Sequence, residues 1–208
     1  MHILFVNGCM REEGRSRTER IARVFLEELK KQGTFSLEEV DLRREEIRPV
    51  RGEDLLLRDR ASAAGDFSGP LFERARRFAA ADRIVIAAPL WDLSFPSMLK
   101  VYLENICVTG LTFRYTEDGV QGLCRADRLM YITTRGGDFS LPYMRELEQA
   151  APYLRSLCFM LGIGSMDTVA ADGLDIIGYD VEAIVKRAEK EAAEKAADFL
   201  RDQDETCI

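Results

Sequence analysis

Two hydroxyls, Ser16 and Thr18, stand where an apolar stripe at helical spacing begins. The first amides of a helix lack intrahelical partners and lie at its positive end. Hydroxyls and amides at that point therefore suit a phosphate monoester. Arg15 and Arg17 supply charge for the same anion. Ordinary N-capping accounts for the same serine and threonine equally well. Residues 7–18 contain neither Gly-x-Gly-x-x-Gly nor the Gly-Lys-Ser/Thr ending of a nucleoside-triphosphate loop, which argues against a dinucleotide fold and an NTPase.

Two further stretches have ligand-binding character. Pro89-Leu90-Trp91-Asp92-Leu93-Ser94-Phe95-Pro96 is apolar, carries two aromatics and is stiffened by a proline at each end. It suits a flat ring whose heteroatoms take hydrogen bonds from backbone amides; the alternative is that Trp91 and Phe95 simply pack in a core or interface. Thr133-Thr134-Arg135-Gly136-Gly137-Asp138 has paired glycines that let the backbone come close to a ligand, or that form a plain turn. Three such loops on one sheet edge form a more specific signal than any one of them.

The elements that would position these loops alternate strand and helix. Ile3 to Val6 is a continuous apolar run, as expected of a central buried strand. Ile21, Val24, Phe25 and Leu29 recur at helical spacing up to Gly33. Leu37, Val40 and Leu42 predict a weaker second strand at an edge. Residues 84–89 predict a third, followed by a helix over about 95–107, and residues 129–134 a fourth. Residues 142–161 read as helical, kinked or split at Pro152. Residues 166–170 form a fifth strand, and Val181, Ile184, Val185, Ala188, Ala192, Ala196, Phe199 and Leu200 make the stripe of a last helix. Residues 43–69 read as a loop with one short helix around 53–58. The pattern predicts a single α/β domain over residues 1–208. Its five-stranded parallel sheet takes the flavodoxin-like order 2-1-3-4-5, with helices on both faces and a ligand at the carboxyl ends of strands one, three and four.

Composition narrows the classes. The chain has 208 residues, 47% hydrophobic and 31% charged, with a net charge of −7. That is a soluble globular profile, and its acidity argues against nucleic-acid binding. Apolar runs are too short for a membrane span, and the start lacks the basic region of a signal peptide. The five cysteines (Cys9, Cys107, Cys124, Cys158, Cys207) show no C-x-x-C spacing, and with one histidine no metal site is expected. They read as reduced cytoplasmic thiols, mostly core filler, with Cys9 close enough to the first loop to raise the question of oxidation sensitivity.

Residues 89–105 resemble the flavin loop and following helix of the FMN-dependent NADH-azoreductase and NAD(P)H:quinone oxidoreductase family. Residues 110–119, Thr134-Arg-Gly-Gly137, Pro152-Tyr-Leu and Leu161-Gly-Ile163 match the same family in the same order. The resemblance covers nearly the whole chain and is strongest over residues 87–137; residues 43–69 resemble the family least. It implies bound FMN and a homodimer with active sites at the subunit interface. NADH or NADPH would deliver hydride to the flavin, which then passes two electrons to a quinone, azo or similar small-molecule acceptor. By position, Ser16, Arg17 and Thr18 would hold the FMN phosphate. Pro89, Leu90, Trp91, Asp92 and Leu93 would line the isoalloxazine, with Thr134, Arg135, Gly136 and Gly137 on its pyrimidine side. No side-chain nucleophile or obligatory base is expected, because the cofactor carries the chemistry; shared use of one flavin face implies ping-pong kinetics.

This chain departs from the family in having Asp92 where Asn is common, and in a phosphate loop richer in arginine and poorer in serine. A buried carboxylate facing the ring would disfavour the anionic reduced flavin and lower its potential; a main-chain contact there would change little. Two alternatives stand beside the enzyme: a flavodoxin-like single-electron carrier, and a flavin redox sensor using Cys9. The segment 110–122, which the resemblance places in the dimer, argues against the carrier.

Overall fold

The computed structural model describes residues 1–201; Cys207 lies outside them. Strands β1 (His2–Asn7), β2 (Ser36–Asp41), β3 (Arg83–Ala87), β6 (Arg128–Thr134) and β7 (Ser165–Ala171) form a parallel sheet in the order β2-β1-β3-β6-β7. With β4 (Phe113–Thr116) and β5 (Gly119–Gly122) set aside as a separate antiparallel hairpin, this is the expected 2-1-3-4-5 order.

Period-two alternation sends the central strands into two cores. Leu4, Val6, Ile84, Ile86, Leu129 and Tyr131 face α3 (Glu73–Ala80), α4 (Ser97–Ile106) and α6 (Ala150–Leu161). Ile3, Phe5, Val85, Ala87, Met130 and Ile132 face α1 (Arg17–Gln32) and α7 (Val181–Leu200). Burial on both faces is why these strands read as continuous apolar runs. The stripe from Val185 to Phe199 packs α7 against α1, where Phe25 and Phe199 meet edge to face at 5.3 Å.

Four details differ from the sequence reading. The short helix expected near 53–58 is α2 (Gly52–Ala64), of whose residues only Asp54 and Ala61 are buried. The helix α3 and the β4–β5 hairpin were not anticipated. Residues 142–161 do split, into α5 (Pro142–Arg145) and α6, but at 146–149 rather than at Pro152. Pro152 lies in the first turn of α6, where its missing N–H costs no helical bond.

Candidate active site

The loops after β1, β3 and β6 converge at the carboxyl edge of the sheet, joined by the loop after β7, around a cleft of about 120 Å³. Ser16, Arg17, Thr18, Pro89, Leu90, Trp91, Thr134, Arg135 and Gly136 line it together. Asp92, Leu93 and Gly137 do not. The sequence reading missed Met10, Arg11, Leu174 and Asp175 as lining residues. The last two follow β7, so extending the carboxyl-edge rule to the fifth strand would have found them.

Ser16 is the N-cap of α1, its Oγ accepting the Glu19 amide at 3.2 Å. Capping and anion binding are compatible here, because an accepting hydroxyl keeps its own hydrogen free to donate. Buried Thr18 and Thr134 share one hydrogen bond between their hydroxyls at 2.6 Å. That bond uses one hydrogen and leaves the other for a ligand. The same bond ties the first loop to the end of β6. Arg17 reaches across to the β7–α7 loop, with Nη1 3.4 Å from the Leu174 carbonyl and 3.7 Å from the Asp175 carboxylate.

The wall after β3 is a closed turn. Trp91 and Ser94 exchange backbone hydrogen bonds at 2.8 and 2.9 Å. The two residues between them, Asp92 and Leu93, have φ of 48° and 67°. This is the primed two-residue turn that needs left-handed backbone at both central positions. Asp tolerates that conformation, whereas Leu93 bears a cost of about 1 kcal/mol. Asp92 is thus a turn residue, exposed and outside the cleft lining. The Leu90 amide donates to the Thr134 carbonyl at 2.9 Å and the Gln149 amide to the Leu93 carbonyl at 2.9 Å, fixing the turn to β6 and α6. Trp91 is half-exposed at the cleft, while Phe95 turns into the core against Tyr153.

On the opposite side, the Gly136 carbonyl accepts the Asp175 amide at 3.0 Å. A Cβ at Gly136 would come within 2.4 Å of the Asp175 carboxylate, an exposed side-chain end that would have to swing aside. Gly137 accepts the Gly173 amide at 2.9 Å and supports the loop from behind. Arg135 lies with its guanidinium 3.3 Å from Asp172 and over the Phe139 ring. Burial pushes the Asp172 carboxyl above the usual range, and the Arg135 charge opposes that shift.

Cys9 lies under the first loop, fully buried, its thiol donating to the Ala87 carbonyl at 3.6 Å. Burial pushes its pKa up to about 12. An inaccessible, protonated thiol does not suit a redox sensor.

A parallel sheet in this order, with a cleft built by loops at its carboxyl edge, defines a flavodoxin-like protein. The chain belongs to that family, whose sequence model, described as the flavodoxin-like fold, matches residues 1–196. It is 38% identical over 198 residues to FMN-dependent NADH:quinone oxidoreductase 2 of Clostridium acetobutylicum, with 95% of this chain and 98% of that protein covered. It is 36% identical over 199 residues to an FMN-dependent NADH:quinone oxidoreductase of Lachnoclostridium phytofermentans, at the same coverage. Among solved structures it is similar to an azoreductase from Bacillus anthracis at 26% identity and a TM-score of 0.85, covering 96% of this chain and all of that one.

Proposed function

We propose that the protein is an FMN-dependent oxidoreductase working as a single domain, taking hydride from NADH or NADPH and reducing a quinone, azo or similar two-electron acceptor. The observation that carries this reading is the convergence of the three sequence-predicted loops on one cleft at the N-terminus of α1, in a chain whose relatives are named as FMN-dependent NADH:quinone oxidoreductases. The cleft fits the cofactor. Its two ends differ chemically, hydroxyls with arginines at one and Leu90 with Trp91 along the other wall.

Ser16, Thr18, Arg15 and Arg17 would hold the phosphate, the hydroxyls by donation and the arginines by charge. Pro89, Leu90 and Trp91 would support the ring, and the backbone of 134–136 would approach its polar edge. Asp92, Leu93 and Gly137 hold these walls in shape rather than touching the ligand. When bound, FMN supplies the hydride and electron transfer; the protein supplies binding, orientation and a cavity from which water is displaced. Nicotinamide and acceptor would occupy the one cleft in turn, which would give ping-pong kinetics. A homodimer with the cleft at its interface and a cytoplasmic location complete the reading; no helix of the described residues is long and apolar enough to cross a membrane.

The test is flavin binding followed by anaerobic reduction. Trp91 is the chain's one tryptophan and lines the cleft, so FMN added to stripped protein quenches its fluorescence. NADH or NADPH then bleaches the flavin absorbance directly, and a quinone restores it. Absence of FMN binding refutes the cleft assignment; binding without reduction by either nicotinamide refutes the enzyme.

A further inference from the structure

The first residue of the polar segment 43–69 is anchored beside the proposed phosphate site. Arg43 follows β2 by two residues, and its side chain is 14% exposed. All five of its guanidinium hydrogens have acceptors. Nε donates to Asp41 at 2.9 Å, Nη2 to Asp41 at 2.8 Å and to Glu19 at 3.2 Å, and Nη1 to Glu19 at 3.0 Å. The fifth hydrogen, on Nη1, meets the Arg11 carbonyl at 2.9 Å. Arg43 therefore joins the end of β2, the first turn of α1 and the loop between β1 and α1.

Glu19 is the third residue of α1 and is buried. It also takes hydrogen bonds from Asn7 at 2.9 Å and Arg23 at 3.1 Å. A buried carboxylate in the same helical turn as an anion site would repel the anion unless neutralised. Residues 11–15 of the loop, by contrast, are exposed, and their backbone makes few bonds: the Arg15 amide to the Glu12 carbonyl, and the Arg11 carbonyl to Arg43.

We propose that Arg43 is a positioning residue for the phosphate site: it holds the β1–α1 loop in its binding shape and neutralises Glu19 behind the helix N-terminus, without touching the ligand. The proposal rests on the reading that this helix N-terminus binds the FMN phosphate.

Riboflavin, which carries the same ring without the phosphate, separates this role from a merely structural one. Flavin-stripped wild type, Arg43→Lys and Arg43→Ala are titrated with FMN and with riboflavin, following Trp91 emission. Arg43→Lys keeps a charge and a folded chain while losing the planar fork. The expected result is a loss of FMN affinity of about tenfold or more in Arg43→Lys, the scale of one charge-assisted hydrogen bond. Arg43→Ala loses more, and riboflavin affinity changes less than about twofold. Parallel losses for both ligands overturn the proposal, as does unchanged FMN affinity. If wild type binds FMN no more tightly than riboflavin, the phosphate site itself is wrong and the role of Arg43 falls with it, an outcome visible before any variant is measured.

Discussion

Replacing Gly122 by alanine tests the contact that seats the β4–β5 hairpin on α6. A Cβ at this position would lie 2.0 Å from the Gly162 nitrogen and 2.1 Å from the Leu161 carbonyl carbon, where ordinary contact begins at 3.4 Å. Both neighbours are backbone at the end of a helix and cannot rotate aside. About 1.4 Å of separation must come from moving the hairpin as a unit. That movement strains or breaks the bond from the Cys124 amide to the Leu161 carbonyl at 3.1 Å, while the bond from the Leu123 amide to the Thr112 carbonyl closes the base of the hairpin and moves with it. That bond to Leu161 contributes about 1 kcal/mol, and overpacking adds about 1–3 kcal/mol, so the loss is about 2–4 kcal/mol. For a chain of this length that lowers the thermal midpoint by roughly 4–16 °C. Thermal unfolding of both proteins at one pH, followed by circular dichroism, measures it. Gly162→Ala is the comparison: its φ of 80° is costly for alanine, but its new Cβ would meet Gly122 no closer than 3.1 Å. It is the milder variant, by about 1–2 kcal/mol lost in total. A Gly122→Ala midpoint within about 2 °C of wild type, or the reverse order of the two variants, refutes the packing argument.

Further outcomes follow from the site. Ser16→Ala removes the α1 cap, costs about 1 kcal/mol of stability in thermal unfolding, and weakens FMN binding in the Trp91 titration; unchanged FMN affinity would exclude the Ser16 hydroxyl from the site. Cys9, fully buried and with its thiol held up by that burial, labels far more slowly in the native protein than after unfolding at mildly alkaline pH, as read by mass spectrometry of labelled peptides. Burial raises the Glu19 carboxyl, but hydrogen bonds from Arg43, Arg23 and Asn7 together with the Arg43 charge outweigh it and hold the group below its ordinary range. A lowered folded-state value stabilises the protein above the unfolded pKa, about 4.3, and that contribution is lost as pH falls through the folded value. Glu19→Gln is therefore less stable than wild type near neutrality, and the gap in thermal midpoint narrows as the pH drops below about 4.

The parallel sheet was legible because its strands are buried on both faces and need uninterrupted apolar residues, as at Ile84-Val85-Ile86. The long helices α1 and α7 were legible because each buries one regular stripe. Elements that bury little leave little trace. In α2, Leu55, Leu56 and Leu57 are consecutive and all about half exposed, so no stripe marks the helix. In α3 only Ala75 and Phe78 are buried, among three arginines. The hairpin strands have four residues each, and only Phe113 is buried. At the cleft, Ser16, Thr18 and Gly136 were readable from residue type and position after a strand. The turn role of Asp92 was not, because it depends on Trp91 and Ser94 pairing with each other. Asp175 is legible only when the carboxyl-edge rule is carried on to β7, and the Gly136 carbonyl then fixes its place.

The closed turn at Trp91–Ser94 bears on how fast a ligand enters. Its paired amides, its ties to Thr134 and Gln149, and the flanking Pro89 and Pro96 leave this wall already in its final shape. No ordering of that segment is deferred to the encounter, so its entropy is not subtracted from the affinity. Flavin capture observed by stopped-flow is then a single exponential whose rate rises in proportion to FMN concentration, without the plateau that a slow loop closure would impose.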